Sequence, residues 1–334
     1  MEIFFHYSIL FLLAFIATSL LTLVLIPILP SLGLVDIPNN RRAHSKITPR
    51  GGGLAIVIVI IIGFSNYEYF STSSLTNSIK FLPVLGIIAI ISFWDDLTSI
   101  SIFTRLIIHI ICAAIAAKLF LSPHSLFHHE LPATIDFLLV VITLTTFLNI
   151  YNFLDGIDGI SCAEATHLSI TLLILCYLKT DTIINLHLIV VLNILILACS
   201  LSFLMFNWSP AKIFLGDIGS ISLGFMLGLS LLLVSASGSH LFIASSIASL
   251  YYLADGGLTI LTRLLNKEKI WQPHLQHFFQ KAVRNGKTHR QIVSRIILCN
   301  ILLMLLSIIS LYLPLISIIF AILVVMITII NFTL

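Results

Sequence analysis

Charge is what this sequence has least of. Only 9% of its 334 residues are Asp, Glu, Lys or Arg, against roughly 25% in a soluble globular domain. With 59% hydrophobic residues, that scarcity excludes a cytosolic enzyme, a disordered chain and a nucleic-acid binder. The net charge of +3 is too small to imply a polyanionic partner, so the placement of charges carries more than their sum. Cysteine is scarce as well. The five cysteines form no CxxC pair and lie in or beside apolar runs, so they read as buried small hydrophobes rather than disulfides or metal ligands. Internal repeats, low-complexity tracts and a second soluble domain are all missing.

Long apolar runs take their place. A spanning helix needs about 20 apolar residues, and about 17 can suffice. Eleven runs qualify: 4–29, 52–68, 79–94, 103–121, 134–151, 160–178, 184–206, 218–236, 240–264, 291–311 and 313–333. The third is short, so ten spans is the other count. The expectation is an all-α polytopic membrane protein with a single domain over residues 1–334. The first run has no basic n-region and no convincing cleavage site, so it reads as a retained helix rather than a signal peptide.

Loops alternate sides across eleven spans. One side and its flanks hold 14 of the 17 Lys and Arg residues, leaving Lys80, Lys118 and Lys179 for the remainder. Basic loops stay cytoplasmic, which puts the N-terminus outside and the C-terminus inside. The cytoplasmic loops fall at about 30–51, 94–102, 151–160, 207–218 and 265–290, and they hold the polar motifs. His124, His128 and His129 fall on the outer side and read as ordinary loop residues.

Asp95 and Asp96, in FWDDL, follow directly on a membrane run. Adjacent carboxylates repel and are costly near lipid, which points to a cation or phosphate site, with a helix cap as the plain alternative. Asn149, Asn152, Asp155 and Asp158 recur every three residues through NIYNFLDGIDG, one polar stripe at the end of an apolar helix. Asp217 lies between Gly216 and Gly219 in FLGDIGS, where an N-cap is the plain alternative. Five carboxylates in three loops suit Mg²⁺, which takes one or two carboxylates plus waters and substrate phosphates. WQPHLQHFFQ adds His274 and His277, which lack the third ligand of a zinc site and suit a phosphate or sugar contact better. Asp255 sits about nine residues inside its span, so ~13 Å deep. An acid at that depth is functional by default, and Gly256 and Gly257 beside it predict a bend there.

FWDDL, NxxNxxDGIDG, FLGDIGS and His-x-x-His, in this order over residues 30–290, resemble the polyprenyl-phosphate N-acetylhexosamine-1-phosphate transferases. That family includes the MurNAc-pentapeptide translocase and the transferases that prime O-antigen or capsule with GlcNAc, FucNAc or QuiNAc phosphates. The resemblance implies transfer of an N-acetylated amino-sugar-1-phosphate from a UDP-sugar to undecaprenyl phosphate, releasing UMP. It implies Mg²⁺ as cofactor, with Mn²⁺ as a candidate substitute. The setting would be the cytoplasmic face of a bacterial inner membrane, and a homodimer is a candidate assembly. It gives Asp217 the metal, and it sets Asp95 and Asp96 at the lipid phosphate, one as a candidate general base. Asn152, Asp155 and Asp158 would line the nucleotide site, Asn207 and Phe214 would lie near the uracil, and Lys46 would meet diphosphate or ribose. His274 and His277 would contact the donor. The glycan-priming branch commonly carries His-Arg-x-His, and Leu275 stands at the Arg position. A transporter or lipid flippase is the rival class. Transporters place polar pairs near the midplane on broken helices, often with repeat symmetry, whereas these carboxylates gather at one face.

Overall fold

The computed structural model describes residues 2–37, 47–122, 124–127, 130–269 and 274–334. Among them ten helices are long and apolar enough to cross a membrane, and a bent pair brings the count to eleven. They run as α1 (Glu2–Ile28), α2 (Gly53–Thr72), α3 (Thr76–Thr98), α4 (Ile102–Ala116), α5 (Ala133–Leu154), α6 (Ile160–Leu178), α7 (Leu186–Asn207) and α8 (Gly216–Ser235). The bent pair is α9 (Ser239–Ala248) and α10 (Leu250–Leu265). A short α11 (Phe278–Arg284) leads to α12 (His289–Ile309) and α13 (Pro314–Thr333). The run expected to be short, 79–94, extends to the 23 residues of α3. Its polar ends, including Asp95 and Asp96, continue the helix beyond the apolar stretch.

The helix α8 is the axis of the molecule. Its spanning window is entirely buried, whereas those of α4 and α13 are 28% and 22% buried. Between lipid-solvated helices, close backbone packing replaces the hydrophobic effect as the main attraction, and small residues permit it. A Cβ on Gly224 would stand 2.9 Å from Tyr151 Cβ and 3.0 Å from Leu148 Cα, so α5 lies directly on α8. A Cβ on Gly53 would fall 2.1 Å from Gly219 Cα, so the start of α2 rests on the first turn of α8.

The expected bend near Asp255 occurs elsewhere. α9 and α10 meet at 70°, and the break is at Ser249. Its hydroxyl donates to the carbonyl of Ser245 at 3.0 Å. The same bond one turn back occurs at Ser220 inside the unbroken α8, so the hydroxyl marks the break without accounting for its size. Gly256 and Gly257 lie inside α10. Gly256 serves packing instead, since a Cβ there would sit 2.5 Å from Ile150 Cγ2.

Before α2 the chain forms a small hairpin, β1 (Val35–Asp36) paired antiparallel with β2 (Thr48–Pro49). The strap that follows is stitched to the segment before α8. Phe214 N–H donates to Pro49 O (2.8 Å), Gly52 N–H to Phe214 O (2.9 Å) and Gly53 N–H to Leu215 O (2.9 Å). This register places Arg50 at the N-terminus of α8.

Candidate active site

Four helix ends and the strap meet at one end of the bundle. Asp95 and Asp96 occupy the last turn of α3, Arg105 the first turn of α4, Asn152 the last turn of α5, and Asp217 the first turn of α8. The orphan N–H groups of a buried helix N-terminus need acceptors. Asp96 supplies them: it accepts from Asp217 N–H at 2.9 Å and from Ile218 N–H at 3.1 Å. Gly216 has φ +72°, and a Cβ there would lie 2.7 Å from Asp96 Oδ2. Only glycine satisfies both constraints, so the glycine of FLGD makes room for the carboxylate of FWDD.

Two arginines lock the carboxylates. Arg50 Nη2 is 2.8 Å from both Asp96 Oδ1 and Asp217 Oδ1. Arg105 Nη1 lies 2.9 Å from Asp217 Oδ2 and also pairs with Asp95. Asp95 accepts from Ile100 N–H at 2.6 Å as well. Asn152 donates to Asp217 Oδ1 at 3.2 Å and to Ser220 Oγ at 2.8 Å. Burial works against the Arg50 charge, yet Asp217 and Asp96 outweigh it and hold the guanidinium above its ordinary value. Desolvation pushes the Asp155 carboxyl up to about 7; Asp217 and Asp96 add to it, against Ser161 and Arg50.

Asp155 ends α5, and Asp158 lies in the turn before α6, so the stripe read as one helical face breaks after Asn152. Asp158 Oδ1 is 3.3 Å from His289 Nδ1, and its Oδ2 accepts from Ala211 N–H at 3.2 Å. Burial would raise this carboxyl, but the hydrogen bond and charge of His289 and the Ala211 N–H hold it below its usual value. Asn149 turns away and donates to Thr145 O at 2.7 Å. Beside the cluster opens a cavity of about 430 Å³, lined by Asn152, Asp155, Asp158, Phe214, Asp217 and Arg50, and on its far side by Leu275, Gln280, Arg284 and His289. That is ample for a small polar ligand.

With this geometry in hand, the comparisons are specific. The sequence model of glycosyl transferase family 4 matches residues 78–235. A probable undecaprenyl-phosphate N-acetylglucosaminyl 1-phosphate transferase of Bacillus subtilis (strain 168) is 30% identical over 297 residues, 84% of this chain and 79% of that one. The chain belongs to glycosyl transferase family 4. A phospho-N-acetylmuramoyl-pentapeptide-transferase of Orientia tsutsugamushi (strain Ikeda) is 26% identical, over 80% of each chain. The undecaprenyl-phosphate alpha-N-acetylglucosaminyl 1-phosphate transferase of Escherichia coli (strain K12) is 25% identical, over 89% of this chain and 82% of that one.

The family match covers α3 to α8 and with it Asp95, Asp96, Asn152, Asp155, Asp158, Asn207, Phe214 and Asp217. Not all of these face the cavity. Asp95 and Asp96 stand behind it, holding the arginines and the α8 N-terminus. Asn207 lines it, but both ends of its amide are committed: Oδ1 accepts from Gly159 N–H and Nδ2 donates to Ile213 O, each at 2.9 Å. Its carboxamide ties α7 to the two loops. Lys46 lies outside the described residues.

Beyond the match, this family 4 chain departs from what the histidine spacing suggests. His277 is buried, with Nδ1 3.1 Å from Asp255 Oδ1. Asp255 also accepts from Phe278 N–H at 3.0 Å and Phe279 N–H at 3.3 Å. The deep acid of α10 therefore anchors the start of α11. His274 packs on His277, ring centroids 4.9 Å apart, and burial together with His277 drives its pKa down to about 4. Neither histidine lines the cavity, whereas Leu275 between them does. Gly156 accommodates this wall: a Cβ there would meet Phe279 Cζ at 2.9 Å. Arg50, Arg105, Ser220, Arg284 and His289 were not singled out from the sequence. They become visible only when the strap, α4 and α12 are brought to the same corner.

Proposed function

We propose that this protein transfers an N-acetylhexosamine-1-phosphate from its UDP-linked donor to undecaprenyl phosphate, releasing UMP, on the cytoplasmic face of a bacterial inner membrane. The observation that carries the reading is the charged cluster beside the cavity, built from α3, α4, α5, α8 and the strap. Family membership and the names of the relatives support the substrate class. The basic residues on the motif-bearing side support a cytoplasmic site.

Asp95, Asp96 and Asp217 pair with two arginines, Arg50 and Arg105, and Asp155 adds a fourth carboxyl to the cluster. The raised Asp155 carboxyl has burial as its largest cause, with Asp217 and Asp96 adding to it. Among the described residues no three His, Cys, Asp or Glu side chains form a ready-made cage. That suits Mg²⁺, which draws most of its ligands from water and substrate phosphate. Asp217, with Asp155 beside it, would hold the ion, which supplies charge neutralisation at the donor diphosphate. Arg50 and Arg105 both pair with Asp217, so they are placed to exchange a carboxylate for a phosphate oxygen when substrates arrive.

The acceptor phosphate brings its own nucleophilic oxygen, because its second pKa near ~6 leaves it mostly deprotonated at neutral pH. Asp96 is inaccessible and its oxygens hold α8 and Arg50, and Asp95 is held by Arg105 and Ile100. Neither is free to form a covalent intermediate, which supports direct displacement with both substrates bound. Asn152, Asp158 and Phe214 would line the nucleotide site, and Lys46 remains a candidate contact. His274 and His277 would serve it through the wall they build.

The test is UMP release by the purified protein supplied with UDP-GlcNAc and its relatives, undecaprenyl phosphate and Mg²⁺. Release should require lipid phosphate and divalent cation, and Asp217→Asn should lower it by about a hundredfold or more. Wild-type protein that transfers from none of these donors would sink the reading. UMP exchange into the donor without lipid phosphate would sink the one-step mechanism.

A further inference from the structure

With His274 and His277 absent from the cavity lining, the cationic groups on its wall need a new account. Among the described lining residues these are Arg50, Arg284 and His289. Arg50 is committed to Asp96 and Asp217. Arg284, in the last turn of α11, is exposed and has no ion pair or hydrogen bond with any described residue. His289, in the first turn of α12, is 9% exposed. Its Nδ1 is held by Asp158, while its Nε2 is buried and has no hydrogen-bond partner among the described residues. An orphaned buried ring nitrogen is costly, and on a cavity wall it marks the place of a missing ligand atom.

The wall is otherwise acidic, with Asp36, Asp155, Asp158 and Asp217, a surface that repels a nucleotide diphosphate unless cations offset it. Arg284 offers a planar fork suited to phosphate. His289 Nδ1 faces Asp158, accepting its N–H at 3.4 Å and lying 3.3 Å from its Oδ1, which leaves Nε2 as the ring nitrogen for the ligand. We propose that the lip formed by the end of α11 and the start of α12 is the diphosphate clamp of the nucleotide donor, with Arg284 and His289 Nε2 as its contact groups. The clamp rests on the reading above that the donor is a UDP-sugar, and it places the cation missing at Leu275 on the next helix. The charged side chain reaches the cavity from α11 while Leu275 leaves the wall beside it apolar.

Equilibrium binding of UDP, and separately of uridine, to the purified full-length protein tests this. Arg284→Ala and His289→Asn should each weaken UDP by about tenfold or more and leave uridine unchanged. Asn keeps the Nδ1-side bond to Asp158 and removes the Nε2 reach, whereas His289→Gln keeps a donor near Nε2. A purely structural histidine would therefore tolerate Asn better than Gln, and that order would overturn the assignment. Leu275→Arg in the Arg284→Ala background should recover part of the UDP affinity. UDP affinity within about twofold of wild type in both single variants would overturn the clamp while leaving the transferase reading intact. So would a loss confined to the KM for undecaprenyl phosphate, which would give the lip to the acceptor instead. Wild-type protein that binds no UDP would overturn both.

Discussion

At the residue scale, the site is a set of opposed charges whose balance depends on what is bound. Asp155 makes this measurable. Its folded-state carboxyl is raised to about 7 from an ordinary value of 3.8. A raised acid contributes stability that is fully present below the ordinary value and is lost as pH rises through the folded value. In protein without divalent cation or nucleotide, thermal stability should therefore decline from about pH 4 to about pH 7 and level above it. Asp155→Asn should flatten that decline and abolish transfer together. A decline of equal slope in the variant would assign it to other groups. Much of this layer was legible in the sequence, because glycines beside Asp155, Asp158 and Asp217 marked carboxylates with cleared space around them. Arg50 was not legible. In RRAHSKITPRGGG it is one basic residue among several, and only the hydrogen bonding of the strap to Phe214 and Leu215 singles it out.

Elements explain why some sequence signals misled. His-x-x-His has the look of a ligand pair, yet both rings serve the α10–α11 junction. Asp255 gathers His277 Nδ1, two N–H groups of α11 and the Tyr251 hydroxyl. The signal was available in Asp255 itself, since an acid that deep in a span must have a partner, but the partner lies 22 residues away in sequence. Asp255→Asn keeps an isosteric acceptor and removes the charge-assisted bonds, each worth roughly 1.5–3 kcal/mol. The expected outcome is a raised KM for the nucleotide donor with kcat changed much less, and faster amide hydrogen exchange over residues 278–284. Equal loss of kcat at unchanged KM would place Asp255 in the chemistry rather than in the wall. The α9–α10 break was likewise misplaced from sequence, because glycine is read as a hinge whereas Gly256 was needed for contact with Ile150. The break itself falls at Ser249, an ordinary serine that nothing in the sequence pattern distinguishes.

For the whole molecule, the all-α class and the number of spans followed from hydropathy alone, because about 20 apolar residues in a row have few alternatives to a membrane helix. Their arrangement around α8 did not follow, since contact between helices in lipid depends on small residues whose partners are distant in the chain. Orientation is checked by labelling. All five native cysteines are buried, so a single exposed cysteine reports cleanly. Arg290→Cys should react only with reagents that reach the cytoplasm, and Glu130→Cys only from outside. The opposite pattern would place the cluster on the outer face, away from any cytosolic nucleotide.

The Arg105–Asp217 pair joins two helices that live in different solvents. α4 is mostly wetted by lipid, and α8 meets none. A bilayer that thins or thickens exerts its force on helices it touches, so α4 can tilt or slide while α8 stays where protein packing holds it. The ion pair between them thus ties an outward-facing part of the bundle to its fully enclosed axis, and the carboxylate cluster sits on that seam.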